Sequence, residues 1–426
     1  MKKALILSTA LVALAMAGPA TAADDDDLWP TFRGVDQHRV DSWIRRGATA
    51  KDIDDVMDRI AASSPPYRYE RMIDTQIAYG PGHWVYEWSA QADRALSQAE
   101  VLREAEETER ARDMFLRAAQ LYSLAKAVYI RDEDWPYYQA AYVKAMEAYE
   151  AFGALLDTPL EVIDVPYRGE IIRAYLHLPK AAGSGPIPLV IGAGGIDVFK
   201  PETWPVAKRV MDAGMAYVVL DMPGMGESND FRNMPDHETA FLAVHDAIAK
   251  DDRFDQDRIA VYATSWSGNA VARLAVLHGD RFAALVSACG PVHEPFDMPT
   301  EAIRADPGIL DRSATAHRLD VLADRFGIGV PRDDAANVRL AELLPAFSLV
   351  NQDLLSGDII EDAPPLLVIN SRNDPVLPIQ DMTLIASAVR NGTVIFTGDG
   401  GHCGNLAQIH DYAVEFIADH VHAYGS

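Results

Sequence analysis

This chain is poor in cysteine, in positive charge and in long apolar runs. Its 426 residues hold two cysteines, Cys289 and Cys403. So few sulfurs exclude a disulfide-dense scaffold, and no His/Cys/Asp spacing repeats with zinc character, so no metal and no cofactor are expected. Lys and Arg number 38 against 63 Asp and Glu, for a formal net charge of -25. That balance argues against nucleic acid and anionic membrane surfaces as partners and favours solubility. The one sizeable apolar stretch, Ala4 to Ala17, is too short to span a bilayer. No later stretch qualifies, so no membrane insertion of the mature chain is expected.

What is present begins with a leader. Lys2 and Lys3, the apolar run and Ala20-Thr-Ala22 read as a bacterial secretory signal peptide over residues 1–22, and hence a periplasmic or secreted address. The Asp24–Asp27 run reads as a disordered leader, with a weak Ca²⁺ site as the rarer alternative. Residues 28–157 carry helical periodicity and no convincing strands, most plainly from Ala90 to Lys126, so residues 23–157 are expected to form a helical N-terminal domain. Residues 158–426 alternate strands with helices, which implies an α/β architecture on a mostly parallel sheet. Between the strand Ala283–Ala288 and the strand near Leu366 lies a helical excursion of about residues 290–362. It is longer than a crossover needs, has helical patches at Thr315–Phe326 and Ala335–Leu344, and is expected to wall a pocket.

The chemistry concentrates in three short segments. Ile259-Ala-Val-Tyr262 is an apolar run that meets Ser265, with small residues at Ala263, Ser267 and Gly268 and a helix-like run from Asn269. That is the pattern of a strand turning sharply into a helix with a serine at its apex, a geometry that tolerates only small neighbours. The usual glycines are replaced by Ala263 and Ser267. The bland alternative is a serine that caps the helix, and Ser267 is a rival nucleophile with bulky Asn269 in its own small-residue slot. Ala363–Asn370 reads as a buried strand ending in Asp374-Pro, and Thr393–Thr397 as another strand ending in a glycine-flanked His402. Ser265, Asp374 and His402 thus occur in the chain order of an α/β-hydrolase triad, each after a strand. Pro188–Asp197 is a strand running into a glycine-rich loop. The N–H groups of Gly195 or Ile196 and of Trp266 are the candidate oxyanion donors, each worth roughly 3–4 kcal/mol in a transition state. A phosphate-binding reading of Gly192-Ala-Gly-Gly fails for want of a Gly-Lys-Ser/Thr sequel.

Other residues admit two readings. Asp197 and Glu202 flank the glycine-rich loop and more readily fix it than do acid/base work. His293 either touches substrate or is a hydrogen-bonded loop residue. Cys289 and Cys403 end up at one edge of the sheet, either as a disulfide that pins the histidine loop or as two small buried side chains.

Several segments resemble the FrsA-like (fermentation–respiration switch protein) esterases, a group of α/β-hydrolases that includes 2,6-dihydroxypseudooxynicotine hydrolase. Gly194-Gly-Ile-Asp-Val-Phe-Lys-Pro-Glu202 is similar to its Gly-Gly-Leu-Asp-x-x-Lys-x-Glu, and Asp221-Met-Pro-Gly-Met-Gly-Glu-Ser228 matches its Asp-x-Pro-Gly-x-Gly-Glu-Ser. Tyr167–Pro179 looks like its first hairpin, and His83–Trp88 with Arg110–Tyr122 like its helical N-terminal domain. The resemblance implies an α/β-hydrolase fold, a helical domain acting as a lid over the catalytic mouth, and a possible homodimer. The expected function is an exported serine hydrolase that cleaves a carboxylic ester of a small or aromatic molecule through an acyl-enzyme. Hydrolysis of a carbon–carbon bond in a β-diketone or acyl-phenol is the alternative within the fold. A peptidase, or a catalytically silent binding protein, is the alternative outside that chemistry.

Overall fold

The structure, a computed structural model, describes residues 31–32, 35–36, 43–44, 46–62, 78–126, 134–180, 185–311, 316–329, 332–355, 357–374, 376–398 and 400–423. The expected signal peptide and the Asp24–Asp27 run lie outside them. Among the described residues no helix is long and apolar enough to cross a membrane. The chain divides into two compact units between Leu160 and Glu161, a little beyond the boundary expected after residue 157. Leu160 is held by the first unit because its N–H donates to Gly153 O at 3.0 Å and its side chain fills the space a Cβ would need at Gly153.

The first unit is helical. Its helices are α1 (Ala50–Ala62), α2 (Trp84–Glu104), α3 (Thr108–Ala125) and α4 (Trp135–Ala154). The periodic run Ala90–Lys126 is two helices, broken where Glu106 takes a φ of 59°. Both helices bury alanines, Ala92, Ala95 and Ala99 on α2 and Ala111, Ala118 and Ala119 on α3. Such small side chains let helix backbones approach closely. Trp84 Nε1 donates to Leu124 O at 2.9 Å and so staples α2 to the end of α3. Asp52 on α1 accepts from the Thr49 N–H at 2.7 Å and from Gln91 at 2.6 Å, and pairs with Arg117. Burial opposes its charge, but these hydrogen bonds and the Arg117 guanidinium outweigh burial and hold the carboxyl below its ordinary value. One expectation is corrected: Thr31–Phe32 pairs antiparallel with Val35–Asp36, so the region does contain strands. Two residues per strand leave no period for a sequence to display.

The second unit carries one eight-stranded sheet. Its strands are β1 (Glu161–Tyr167), β2 (Glu170–His177), β3 (Ile187–Ala193), β4 (Ala216–Leu220), β5 (Phe254–Thr264), β6 (Ala284–Ala288), β7 (Leu366–Ser371) and β8 (Gly392–Thr397). The spatial order is β8-β7-β6-β5-β3-β4-β2-β1, parallel throughout except around β2. Strands β3, β4, β6 and β7 are buried at every position, which explains their unbroken apolar sequences: helices cover both faces of a parallel sheet. The β1–β2 hairpin turns through Arg168 and Gly169, both at positive φ as a two-residue primed turn requires.

Helices α5 (Trp204–Asp212), α6 (Thr239–Ile248), α7 (Trp266–Leu277), α11 (Ile379–Ala388) and α12 (Leu406–Ala423) follow β3, β4, β5, β7 and β8. Between β6 and β7 the excursion forms α8 (Thr300–Ala305), α9 (Ala316–Arg325) and α10 (Asp334–Leu343). Its apolar side chains gather around Trp266: Phe296, Phe326 and Phe347 lie 5.6, 5.7 and 5.1 Å from that indole, centroid to centroid. The excursion is therefore anchored on the residue that follows Ser265.

Candidate active site

Ser265 stands where β5 turns into α7. Its φ of 52° and ψ of -127° are costly for a residue with a Cβ. The turn is held from both sides. The Ser265 N–H donates to Ala288 O at 2.8 Å, and its own carbonyl accepts from Gly268 N–H at 2.8 Å. The small neighbours have concrete causes. A Cβ on Gly268 would stand 2.6 Å from Gly290 Cα, and a Cβ on Gly195 would stand 2.7 Å from Ser265 Cβ.

Three distant segments join in one hydrogen-bonded chain. Ser265 Oγ lies 2.9 Å from His402 Nε2, and His402 Nδ1 lies 2.9 Å from Asp374 Oδ2. A carboxylate only accepts, so Nδ1 carries the proton and Nε2 is left to accept from the serine hydroxyl. The Asp374 side chain is fully buried while the His402 ring is 31% exposed. Burial works against the Asp374 charge. The His402 hydrogen bond and charge and the N–H groups of Leu377 and Val376 outweigh it and hold the carboxyl below its ordinary value. Those N–H groups bond Oδ1 at 3.0 and 2.8 Å, and the Cys403 N–H bonds Oδ2 at 3.2 Å.

The glycine-rich loop after β3 lies against the serine. Gly195 is close enough that its missing side chain matters, and Ile196 packs onto the apolar cluster around Trp266. The Trp266 N–H belongs to the first turn of α7, where N–H groups have no acceptor within the helix. Ser267, the rival serine, is buried and donates its hydroxyl to Gly194 O. The departure from glycine at this position thus ties the loop to the helix. Asn269 donates to Pro291 O at 2.9 Å and Phe347 O at 3.1 Å and bonds His237 Nε2 at 2.9 Å, so its bulk is structural too.

Asp197 is half-buried at the end of the loop. Glu202 accepts from the Phe199 N–H at 3.0 Å and shapes the short turn before α5. His293 is half-buried and tied to two other segments: its N–H donates to Asp381 of α11 at 2.8 Å and its Nδ1 lies 2.8 Å from Ser348 Oγ late in the excursion. Neither Asp197 nor His293 enters the Ser265–His402–Asp374 chain. Cys289 and Cys403 form a disulfide across 114 residues of sequence. Both sulfurs lie near His402, and the disulfide uses the two thiols that a metal would need.

The sequence did not disclose how the loop after β3 is held. Lys200 is fully buried; its Nζ donates to Arg173 O at 2.9 Å, pairs with Glu227 and sits 4.6 Å over the Tyr175 ring. Asp221 accepts the Lys200 N–H at 2.8 Å on one oxygen and the Glu227 N–H at 3.2 Å on the other. Lys200 belongs to one of the two family-like motifs, Asp221 and Glu227 to the other. Their co-occurrence was the available signal, because a buried amine requires a carboxylate.

The sheet order, the serine at the β5–α7 turn and the acid and histidine after β7 and β8 define an α/β-hydrolase. The sequence profile described as "Esterase FrsA-like" matches residues 20–421, and the chain belongs to that family. It is 29% identical over 358 residues to "Esterase FrsA" of Photobacterium profundum, covering 84% of this chain and 81% of that one. Against "Esterase FrsA" of Vibrio cholerae it is 30% identical over 352 residues, with 82% and 79% covered. The crystal structure of 2,6-dihydroxy-pseudo-oxynicotine hydrolase shares the fold, with a TM-score of 0.69 at 23% identity over 91% of this chain and 96% of that one.

Proposed function

We propose that this hydrolase is a serine esterase that cleaves small carboxylic esters through an acyl-enzyme. The observation that carries the reading is the unbroken chain from Ser265 Oγ through His402 to Asp374. In the first half-reaction Ser265 Oγ attacks the ester carbonyl as His402 Nε2 takes its proton. Asp374, kept ionised, holds Nδ1–H and stabilises the imidazolium. The tetrahedral oxyanion is received by backbone N–H groups of Gly195 or Ile196 and of Trp266. His402 returns the proton to the departing alcohol. A water molecule, deprotonated by the same imidazole, then releases the acid.

Ile196 is only partly buried against the Trp266 cluster and adjoins Gly195, which lies against Ser265; this supports an apolar group on the substrate. The leader's residue pattern, taken alone, supports an enzyme that works outside the cytoplasm.

The test is Ser265→Ala on an aryl-ester substrate. Turnover is expected to fall by about 10⁴–10⁶-fold with unchanged melting. A fluorophosphonate probe should label the parent protein and not the variant. A fully active variant overturns the reading, and a parent that never reacts with the probe points to a silent binding protein. Including β-diketones among the substrates decides which bond is cut.

A further inference from the structure

Resting on that reading of Ser265 and His402, we propose that the Cys289–Cys403 disulfide is a positioning device for the base. It fixes the His402 loop relative to the serine, so breaking it lowers turnover while leaving substrate binding in place.

The argument is a short path through the structure. The Ser265 N–H donates to Ala288 O at 2.8 Å. The next residue, Cys289, is itself anchored through its N–H to Ile369 O at 2.7 Å. Its sulfur is bonded to Cys403, the neighbour of His402. One hydrogen bond and one disulfide therefore link the backbone of the serine to the backbone of the base. Apart from the Ser265–His402 hydrogen bond itself, the other hydrogen bonds described on the His402 loop run to the β7 side. Ser371 Oγ donates to Gly401 O at 2.6 Å, the Gly400 N–H donates to Asn373 Oδ1 at 3.2 Å, and Cys403 N–H donates to Asp374. None of these three fixes the loop backbone against β5 and β6; beyond the loop, the next described tie to β5 is Tyr262 to His410 in α12, seven residues past Cys403.

The loop also needs restraint. It carries Gly398, Gly400, Gly401 and Gly404, whose backbones are the freest in the chain. Cys289 and Cys403 both sit in the left-handed region, at φ 46° and 57°, where a side chain is unfavourable. Both are buried among Leu377, Val376 and Leu406. A small error in the Ser265–His402 separation acts on the proton-transfer geometry, to which rates are steeply sensitive, and much less on substrate affinity.

Reduction by a dithiol supplies two electrons and two protons. The S–S bond breaks, Cys289 and Cys403 become thiols, and the dithiol leaves as its own cyclic disulfide.

The test uses the full chain in four forms: as isolated, reduced with dithiothreitol, reduced and then reoxidised, and the Cys289→Ala/Cys403→Ala double variant. For each, kcat and KM on an aryl ester, the fluorophosphonate labelling rate, the thiol count and the melting curve are measured. Reduction is expected to expose two thiols and lower kcat and labelling together by about 10–100-fold, with KM within about threefold and full recovery on reoxidation. Reduced protein that keeps kcat within about twofold overturns the proposal. So does a loss of activity that merely follows the unfolded fraction, or an isolated protein that already shows free thiols. If the double variant does not fold, the reduced and reoxidised parent protein decides. Full activity in Ser265→Ala would instead remove the reading beneath it, whatever the redox result.

Discussion

Two loops flank Ser265 in the strand order, and they are fastened by different chemistry. The loop after β3 is tied through main-chain atoms by buried polar groups: Ser267 to Gly194 O, Asp221 to the Lys200 N–H, Lys200 to Arg173 O and Glu227. The loop after β8 is tied by a disulfide, by Ser371 and by the Asp374 carboxylate. The difference follows from what each loop presents. In the proposed mechanism the first offers backbone N–H groups to a developing charge, so the backbone itself must not move. In the same mechanism the second offers a ring that would take up and give back a proton. Its Cα is fixed by neighbours while the ring stays partly exposed. The disulfide is also the larger single constraint on the unfolded chain. Closing a loop of that length contributes about 5 kcal/mol in the chain-entropy account.

The strongest way to break this comparison is Lys200→Met. Its amine is fully buried, and removing it takes a donor from the Arg173 carbonyl and a cationic partner from Glu227, which also pairs with Arg173 at 3.0 Å. Loss of one partner from a fully buried pair costs about 3–5 kcal/mol, and the partial exposure of Glu227 and its second partner, Arg173, reduce this to about 2–3 kcal/mol. Urea unfolding at neutral pH should show a drop of that order, with activity falling as the loop loosens. A change under about 1 kcal/mol would mean that the buried amine is not the fastening. Gly195→Ala is expected to act more narrowly. Its new Cβ would meet Ser265 Cβ at 2.7 Å and Oγ at 3.2 Å, so the loop must retreat from the serine. Turnover should fall by about 10²–10³-fold, as for the loss of one oxyanion donor, with little change in the urea midpoint. Unchanged kcat would separate this loop from the chemistry.

Much of this was legible in the sequence, and the limits have physical causes. Buried parallel strands declare themselves as apolar runs, and the serine and acid each follow one; the histidine follows the part-exposed edge strand β8, whose Thr393-Val-Ile-Phe-Thr run is still strand-like, so their order could be read before their contacts. The helix break at Glu106 and the strand pair at Thr31–Phe32 were not legible, because each depends on a residue or two rather than a period. Ser267 looked like a competitor for the nucleophile's role. Its actual partner, Gly194 O, lies 73 residues away in the chain, which no local pattern encodes. The cysteines were ambiguous for the same reason: position at one sheet edge permits a disulfide, and only side-chain direction decides it.

Acid gives the mildest and most discriminating test. His237 and His410 are pushed down to about 4, and His177 to about 3, in each case chiefly because burial penalises the charged ring. His237 braces Asn269 beside the excursion, and His410 joins Tyr262 of β5 to α12 at 2.6 Å. In the unfolded chain these rings protonate near pH 6.5, while in the folded protein they stay neutral down to about 4. Their contribution is thus complete above pH 6.5 and is lost as pH falls from there towards the folded values. The loss is about 1.4 kcal/mol per pH unit for each ring within that window. Asp374 follows the carboxylate sign and titrates later: its share is complete above its ordinary value and disappears as pH falls through its lower folded value. The disulfide takes up no proton in this range. Urea midpoints measured between pH 6.5 and 4.5 should therefore trace parallel curves for oxidised and reduced protein, offset by the disulfide's share. His237→Gln should flatten the slope of both by up to one ring's worth. Curves that converge in acid would show that the disulfide and the buried histidines restrain the same opening, and the two fastenings would no longer be independent.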